Sequence, residues 1–141
     1  MISLKKIMTR DVVTVKATTD IFDAIRMMAD GNITGLPVVD EDDKLVGIVT
    51  AKDIMRRLVN TQSTEGKVQD CMTTDVVSHN ENDNLLDVIN TLAENKFRKV
   101  PIESKGKLVG IISRRDIISY IFSLELKDRG ELTTAIRGKF S

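Results

Sequence analysis

Residues 44–53 read KLVGIVTAKD, and residues 107–116 read KLVGIISRRD. The two stretches lie 63 positions apart and share their first five residues. Each ends in a hydroxyl, two variable residues and an aspartate. A long-range echo of this kind asks whether the whole chain is a repeat. Shifted by 64 positions, Met8-Thr9 falls on Met72-Thr73 and Asp11-Val12-Val13 on Asp75-Val76-Val77. Asp23 then meets Asp87, Ile25 meets Ile89, Ala29 meets Ala93 and Pro37 meets Pro101. One deletion after the proline segment changes the shift to 63, which brings the two KLVGI stretches together. The order never breaks, so the chain is a tandem duplication.

Each copy has the same local grammar. A short apolar run (Val12 to Val15; Val76 to His79) opens it. Thr18-Thr19-Asp20 and Asn82-Asp83-Asn84 are helix N-cap candidates. Ile21, Ala24, Ile25 and Met28 follow at helical spacing, as do Leu85, Val88, Ile89 and Leu92. Gly31-Asn32 and Asn95 read as helix ends. An apolar strand beginning at Pro37 or Pro101 comes next, since proline is tolerated at a strand's first residue. A polar turn leads to a second strand, Leu45 to Val49 or Leu108 to Ile112. A final helix starts after Thr50 or Ser113. The unit is therefore β-α-β-β-α, and the fold class is α/β (α+β). A three-stranded sheet cannot bury both faces alone, so the two units are expected to pack about a pseudo-twofold axis. The boundaries read 1–62, 63–124 and a C-terminal tail, 125–141.

Bulk chemistry narrows the function. Apolar residues make up 41% and charged residues 30%, ordinary for a globular protein. Aromatic residues are 4%, so the core is expected to be aliphatic. Met27, Met28 and Met55 read as packed into it, with an adaptable interface as the alternative. Net charge is zero, from 21 basic and 21 acidic side chains. That promises no nucleic-acid or membrane attraction. Cys71 and His79 are each the only residue of their type, which argues against an intramolecular disulfide, a metal site, a nucleophile–base pair and hence an enzyme. No signal-type or membrane-spanning run is present, and the expected location is cytoplasmic.

The repeated tetrads TAKD and SRRD carry the candidate chemistry. Thr50 and Ser113 stand where a strand becomes a helix, and a helix N-terminus offers backbone N–H groups and a partial positive charge to a phosphate. Asp53 and Asp116 follow one turn later. A carboxylate accepts only, so it can take both hydroxyls of a ribose. A single Ser/Thr-x-x-Asp reads as a capping box. Two copies in matching context favour a ligand-reading pair.

The opening Met-Thr, the apolar run, the pre-strand proline, the LVGI strand and the terminal Ser/Thr-x-x-Asp recur in this order. Together they resemble the CBS-domain (cystathionine-β-synthase domain) pair, or Bateman module, over roughly residues 1–124. The resemblance implies a non-catalytic regulatory module with no catalytic cofactor. It would bind AMP, ADP, ATP or S-adenosylmethionine in clefts between the two motifs. It also implies a homodimer whose geometry an unknown effector protein reads. The same resemblance puts Thr14, Val15, Leu36 and Pro37 around one adenine, and Ser78, His79, Val100 and Pro101 around the other. The phosphate ends would lie at Thr34, Gly35 and Lys52 in the first site, and at Arg98, Lys99, Arg114 and Arg115 in the second. Arginine holds phosphate through bidentate bonds, so the second site is expected to prefer the more phosphorylated ligand; the alternative is that Arg98 and Lys99 are solvated surface charges. The alternative is a structural dimerisation module with vestigial sites. The tail (ELKDRGELTTAIRGKFS) reads either as a docked amphipathic segment or as a frayed end.

Overall fold

A computed structural model of the chain describes residues 2–94 and 97–127. Asn95, expected to end a helix, and residues 128–141 of the tail lie outside the described residues. The chain divides into two compact bodies. The upstream body holds Val13–Val77 with Lys105–Leu108. Of the described residues, the downstream body holds 2–12, those within Ser78–Ser104, and 109–127.

The fold is mixed α+β, with four α-helices and two small sheets among the described residues. The upstream body contains α1 (Ile21–Gly31), β1 (Gly35–Val39), β2 (Leu45–Thr50) and α2 (Ala51–Thr61). β1 and β2 run antiparallel, pairing Gly35 with Thr50 and Pro37 with Ile48. The downstream repeat contributes β3 (His79–Asn80), α3 (Leu85–Glu94), β4 (Lys99–Ser104), β5 (Lys107–Ser113) and α4 (Arg114–Lys127). Its sheet order is β3-β4-β5, with β3 parallel to β4.

The leading apolar runs are shorter as strands than their composition suggests, and the prolines supply the reason. Val15 pairs with Val38 as a single parallel bridge, donating to Pro37 O at 3.1 Å and accepting from Val39 N at 3.0 Å. The next rung would need Pro37 to donate to the carbonyl of Val13. Proline has no N–H, so the ladder stops. In the downstream sheet, pairing likewise begins at His79 with Ile102, one residue beyond Pro101. Neither proline starts its strand, contrary to expectation: each is the third residue, in β1 and in β4. Each is accommodated because its missing donor faces the side where pairing has ended.

Helix boundaries follow local chemistry. Asp20 caps α1 in position but makes no side-chain cap bond. Its carboxylate instead takes Lys67 Nζ at 2.5 Å. α1 ends at Asn32 in the left-handed region (φ 51°), with its N–H on Met28 O. Asn84 caps α3 through Oδ1, which accepts from Leu86 N at 3.0 Å.

Each body has an aliphatic core, with no buried polar or charged residue among the described residues. The upstream core gathers Val15, Ile21, Ala24, Met28, Leu36, Val38, Val49, Ile54 and Val68. The downstream core gathers Leu4, Ile7, Met8, Leu85, Val88, Leu92, Val100, Ile102, Ile112 and Ile117. Of the methionines assigned to a core, Met28 is buried and Met27 packs against it, but Met55 is 63% exposed.

The two cores show an exchange that the repeat pattern did not suggest. Leu4, Ile7 and Met8 precede the first repeat's helices, yet they pack in the core of the second. Val68, Cys71 and Met72 lead into the second repeat, yet they pack in the core of the first. Leu4 and Val68 are repeat-equivalent, and both are fully buried. Backbone pairs seal the exchange. Thr9 and Ile111 trade hydrogen bonds of 2.8 and 2.9 Å, as do Ile48 and Thr73. The motif glycines explain how the crossing segment comes so close. A Cβ on Gly47 would lie 2.9 Å from Thr73 O, and one on Gly110 would lie 2.6 Å from Met8 Sδ. Only glycine leaves that space.

Candidate functional site

All predicted site residues of the first repeat fall in the upstream body, and all those of the second fall in the downstream body. Each candidate half-site is therefore built within one body.

In the upstream body, the turn from β2 into α2 sets the geometry. Thr50 is extended (φ −117°, ψ 162°) and is the N-cap of α2. Its Oγ1 accepts from Asp53 N at 3.1 Å, and Asp53 Oδ2 accepts from Thr50 N at 2.9 Å. The Thr50 hydroxyl also donates to Asp53 Oδ2 at 2.9 Å. The downstream copy repeats the reciprocal pair. Asp116 N donates to Ser113 Oγ at 3.0 Å, and Ser113 N donates to Asp116 Oδ2 at 2.8 Å. Both tetrads are thus formed capping boxes.

Capping spends part of what a ligand would use and leaves part. The first N–H of α2, on Ala51, goes to Thr34 O, and the first of α4, on Arg114, goes to Arg98 O, each at 2.8 Å. The third N–H of each helix goes to the capping hydroxyl. Only the second, on Lys52 or Arg115, carries no hydrogen bond among the described residues. Each helix start therefore offers an anion one backbone donor. Each aspartate is half-buried and spends Oδ2 alone, so Oδ1 keeps its lone pairs for an incoming hydroxyl. The same carbonyl links hold Thr34 beside the start of α2 and Arg98 beside the start of α4, as the sequence expectation grouped them.

The remaining residues divide by burial. Val15, Leu36 and Val100 are 4%, 0% and 1% exposed, so their side chains are committed to the cores. Gly35, Pro37 and Pro101 are buried as well, and Thr14 and Ser78 are half-buried. Thr34, Lys52, Arg98 and Arg115 are exposed. Lys99 is half-buried, and that burial lowers its pKa. Arg114 turns toward α3: its Nε donates to Leu92 O at 2.9 Å. There it edges a cavity of about 330 Å³ lined by Ile89, Leu92, Ala93, Ile117 and Ile118. The Nε–H of Arg114 is thus committed to α3.

His79 stands at the position where the first repeat has the core residue Val15. Both its ring nitrogens are engaged, Nδ1 with Asp83 Oδ2 at 2.9 Å and Nε2 with Thr91 Oγ1 at 2.7 Å. Asp83 Oδ2 also accepts from Asn80 N at 3.1 Å. Sequence reasoning missed Asp83 and Thr91. The signal was available in a polar residue at a repeat position that is otherwise core, with an acid four residues on.

No helix among the described residues is long and apolar enough to cross a membrane. A family model described as the CBS domain matches the chain twice, over residues 4–60 and 68–123. An uncharacterized protein of Methanocaldococcus jannaschii is 33% identical over 120 residues, covering 85% of this chain and 43% of that protein. Inosine-5'-monophosphate dehydrogenase of Thermoplasma acidophilum is 44% identical over 114 residues, 80% of this chain and 22% of the enzyme. The chain thus spans less than half of these relatives. Among solved structures, the Arabidopsis thaliana protein CBSX2 in complex with AMP superposes with a TM-score of 0.78 at 28% identity, over 89% of this chain and 99% of that one. A putative acetoin utilization protein from Vibrio cholerae gives 0.81 at 30% identity, over 92% and 97%.

Proposed function

This chain belongs to the CBS-domain family, and we propose on that premise that it is a non-catalytic sensor of adenine nucleotides or adenosyl ligands. A CBS pair is a regulatory module. The observation that carries the ligand class is the likeness, over nearly the whole chain, to a CBS pair that holds AMP. The free Oδ1 atoms of Asp53 and Asp116 support it, because a ribose diol needs acceptors that are not already saturated. The open N–H groups of Lys52 and Arg115 suit a phosphate oxygen.

The half-sites differ in charge. Arg98, Lys99 and Arg115 surround the second, whereas Thr34, Gly35 and Lys52 mark the first. The second is proposed to take the more phosphorylated nucleotide. The depressed pKa of Lys99 fits, because a phosphate beside it would offset the burial that lowers it. The first suits AMP or the uncharged adenosyl group of S-adenosylmethionine. Calorimetric titration of AMP, ADP and ATP into Arg115→Ala, Arg114→Ala and Lys52→Ala variants tests the assignment. ATP binding that survives both arginine changes at wild-type strength refutes it.

The signalling form is proposed to be a cytoplasmic homodimer whose shape a partner protein reads. The repeats leave the same helix face uncovered. Met55 and Val59 of α2 are 63% and 78% exposed, and their repeat equivalents Ile118 and Phe122 of α4 are 65% and 64% exposed. A twofold dimer would cover such stripes. Sedimentation of a Val59→Lys, Phe122→Lys variant should show monomer where wild type shows dimer.

A rival reading has an observation of its own. The capping boxes are complete without any ligand, which is what a purely structural module with vestigial sites needs. Thermal shift separates the two. A ligand at about 100 times its Kd stabilises by roughly 2.7 kcal/mol. No shift with any adenine nucleotide or S-adenosylmethionine favours the structural module.

A further inference from the structure

The polar face of α2 borders a cleft of about 270 Å³ in the upstream body. Asp53, Arg56, Arg57 and Thr61 line one side, and Asp70 and Cys71 of the exchanged segment line the other. The downstream body supplies an internal control. The residues equivalent to Arg57 and Thr61 are Tyr120 and Leu124, and the equivalent of Cys71 is Ile7. Leu124 and Ile7 are both 9% exposed, and Tyr120 packs against the core. At these three positions the sister groove is closed with apolar side chains, whereas this one carries the Arg57 charge. Packing therefore does not dictate a polar groove at this place in the fold.

The charges in the cleft are not neutralised by each other. Among the described residues, neither Arg56 nor Arg57 lies within ion-pair distance of a carboxylate, although two carboxylates line the same cleft. Arg57 is held in place from behind. Its Nε and Nη2 donate to Glu65 O at 3.3 and 3.2 Å, which leaves the Nη1 edge uncommitted. Gly66 allows that hold: it sits at φ 120°, and a Cβ there would lie 2.7 Å from Arg57 Nη2. Asp70 spends Oδ2 on Lys67 N at 2.8 Å, as Asp53 spends its own Oδ2 on Thr50. Each carboxylate keeps one oxygen. Burial, with Asp53 nearby, raises the Cys71 pKa, so its thiol is a neutral wall.

We propose that this cleft is a second ligand site, which takes a small anion that also carries hydroxyl or ammonium donors. The guanidinium of Arg57 and the exposed Arg56 would hold the anion. The spare oxygens of Asp53 and Asp70 would accept from the donors. A sugar phosphate and a zwitterionic amino acid share this chemistry. The proposal does not depend on nucleotide binding. It meets the nucleotide reading at Asp53 alone: Oδ2 caps α2, so both ligands would call on the single free Oδ1 and compete for it.

The test is a titration of the full chain with ribose 5-phosphate, with glycine and with sodium chloride matched in ionic strength. It is followed through the Arg57 Nε–H and the Thr61 and Cys71 amide resonances. Alkylation of Cys71, the single thiol, provides a second readout. One of the two ligands should give saturable shifts at these groups, and at about ten times its Kd should slow alkylation roughly tenfold by mass action. Saturation by ribose 5-phosphate identifies the sugar-phosphate class, and saturation by glycine the amino-acid class. Arg56→Gln, an exposed change with no structural partner, should weaken binding, and Lys52→Ala should not. Thr61→Leu with Cys71→Ile, which copies the closed groove, should abolish the shifts at Arg57. Shifts that merely follow those of sodium chloride, or that persist in the closed-groove variant, overturn the proposal.

Discussion

Replacing Gly47 by alanine places a Cβ 2.9 Å from Thr73 O and 3.0 Å from Met72 Sδ. The nearer atom is backbone, so no side-chain rotation relieves the contact. The Met72-Thr73 segment must back away from β2, and it is held there by two hydrogen bonds between Ile48 and Thr73, of 2.9 and 2.8 Å. Overpacking a tight core contact costs about 1–3 kcal/mol. Weakening two backbone hydrogen bonds adds about 0.5–1.5 kcal/mol for each one lost. Partial relaxation brings the expected loss to about 2–3 kcal/mol. For a domain of this size that is roughly 6–12 °C in Tm. The assay is urea and thermal unfolding of Gly47→Ala beside Gly106→Ala. Gly106 has φ 83° but nothing within 4 Å of a Cβ, so its cost is confined to backbone strain of about 1 kcal/mol. Met72→Ala combined with Gly47→Ala should recover little, because the carbonyl stays in the way. A Gly47→Ala protein within about 0.5 kcal/mol of wild type would show that the exchanged segment does not bear on β2 as described. So would full rescue by Met72→Ala.

Three further outcomes follow from the geometry. Asp53→Ala and Asp116→Ala each remove one half of a capping box and should cost about 1 kcal/mol in chemical unfolding. If the nucleotide reading is right, each also weakens ligand binding at its own half-site only. His79→Leu gives up the bonds to Asp83 and Thr91 but leaves Asp83 paired with Asn80 N and Thr91 with Asp87 O. The loss should stay near 1–2 kcal/mol, and Asp83→Ala should then add less in the His79→Leu background than alone. The Asp40 carboxyl is held below the ordinary aspartate range, chiefly by hydrogen bonds from the Lys44 and Asp42 amides. A depressed carboxyl pKa stabilises the fold above the unfolded value and loses that contribution as pH falls through the folded one. Carboxyl-carbon resonances should therefore report Asp40 titrating at lower pH than an ordinary aspartate, with the Asp42 and Lys44 amides moving in step.

Much of the fold was legible because the repeat doubles every signal. Periodicity gave the core positions of α1 and α3, and the capping tetrads gave the starts of α2 and α4. Proline was misread by two residues, because its cost depends on which side of the strand needs a donor, and that is a property of the neighbour. The exchange of Leu4–Met8 and Val68–Met72 was invisible for a related reason. The repeat states which residues are equivalent but not which copy each one packs against. In the candidate site, the residue types and their grouping at the helix starts were readable. Side-chain direction was not: Arg114 leans to Leu92 O, and the ring nitrogens of His79 are taken by neighbours twelve and four residues away.

The exchanged segments also set an order of events during synthesis. The pairing of Ile48 with Thr73 spans few residues, so the upstream core can begin to close while the second repeat is still being made. Thr9 waits for Ile111, which is translated about a hundred residues later. Until then Leu4, Ile7 and Met8 leave the ribosome with no partner in their own repeat. The interval in which that short apolar segment is uncovered leaves it open to capture by chaperones or by a neighbouring nascent copy.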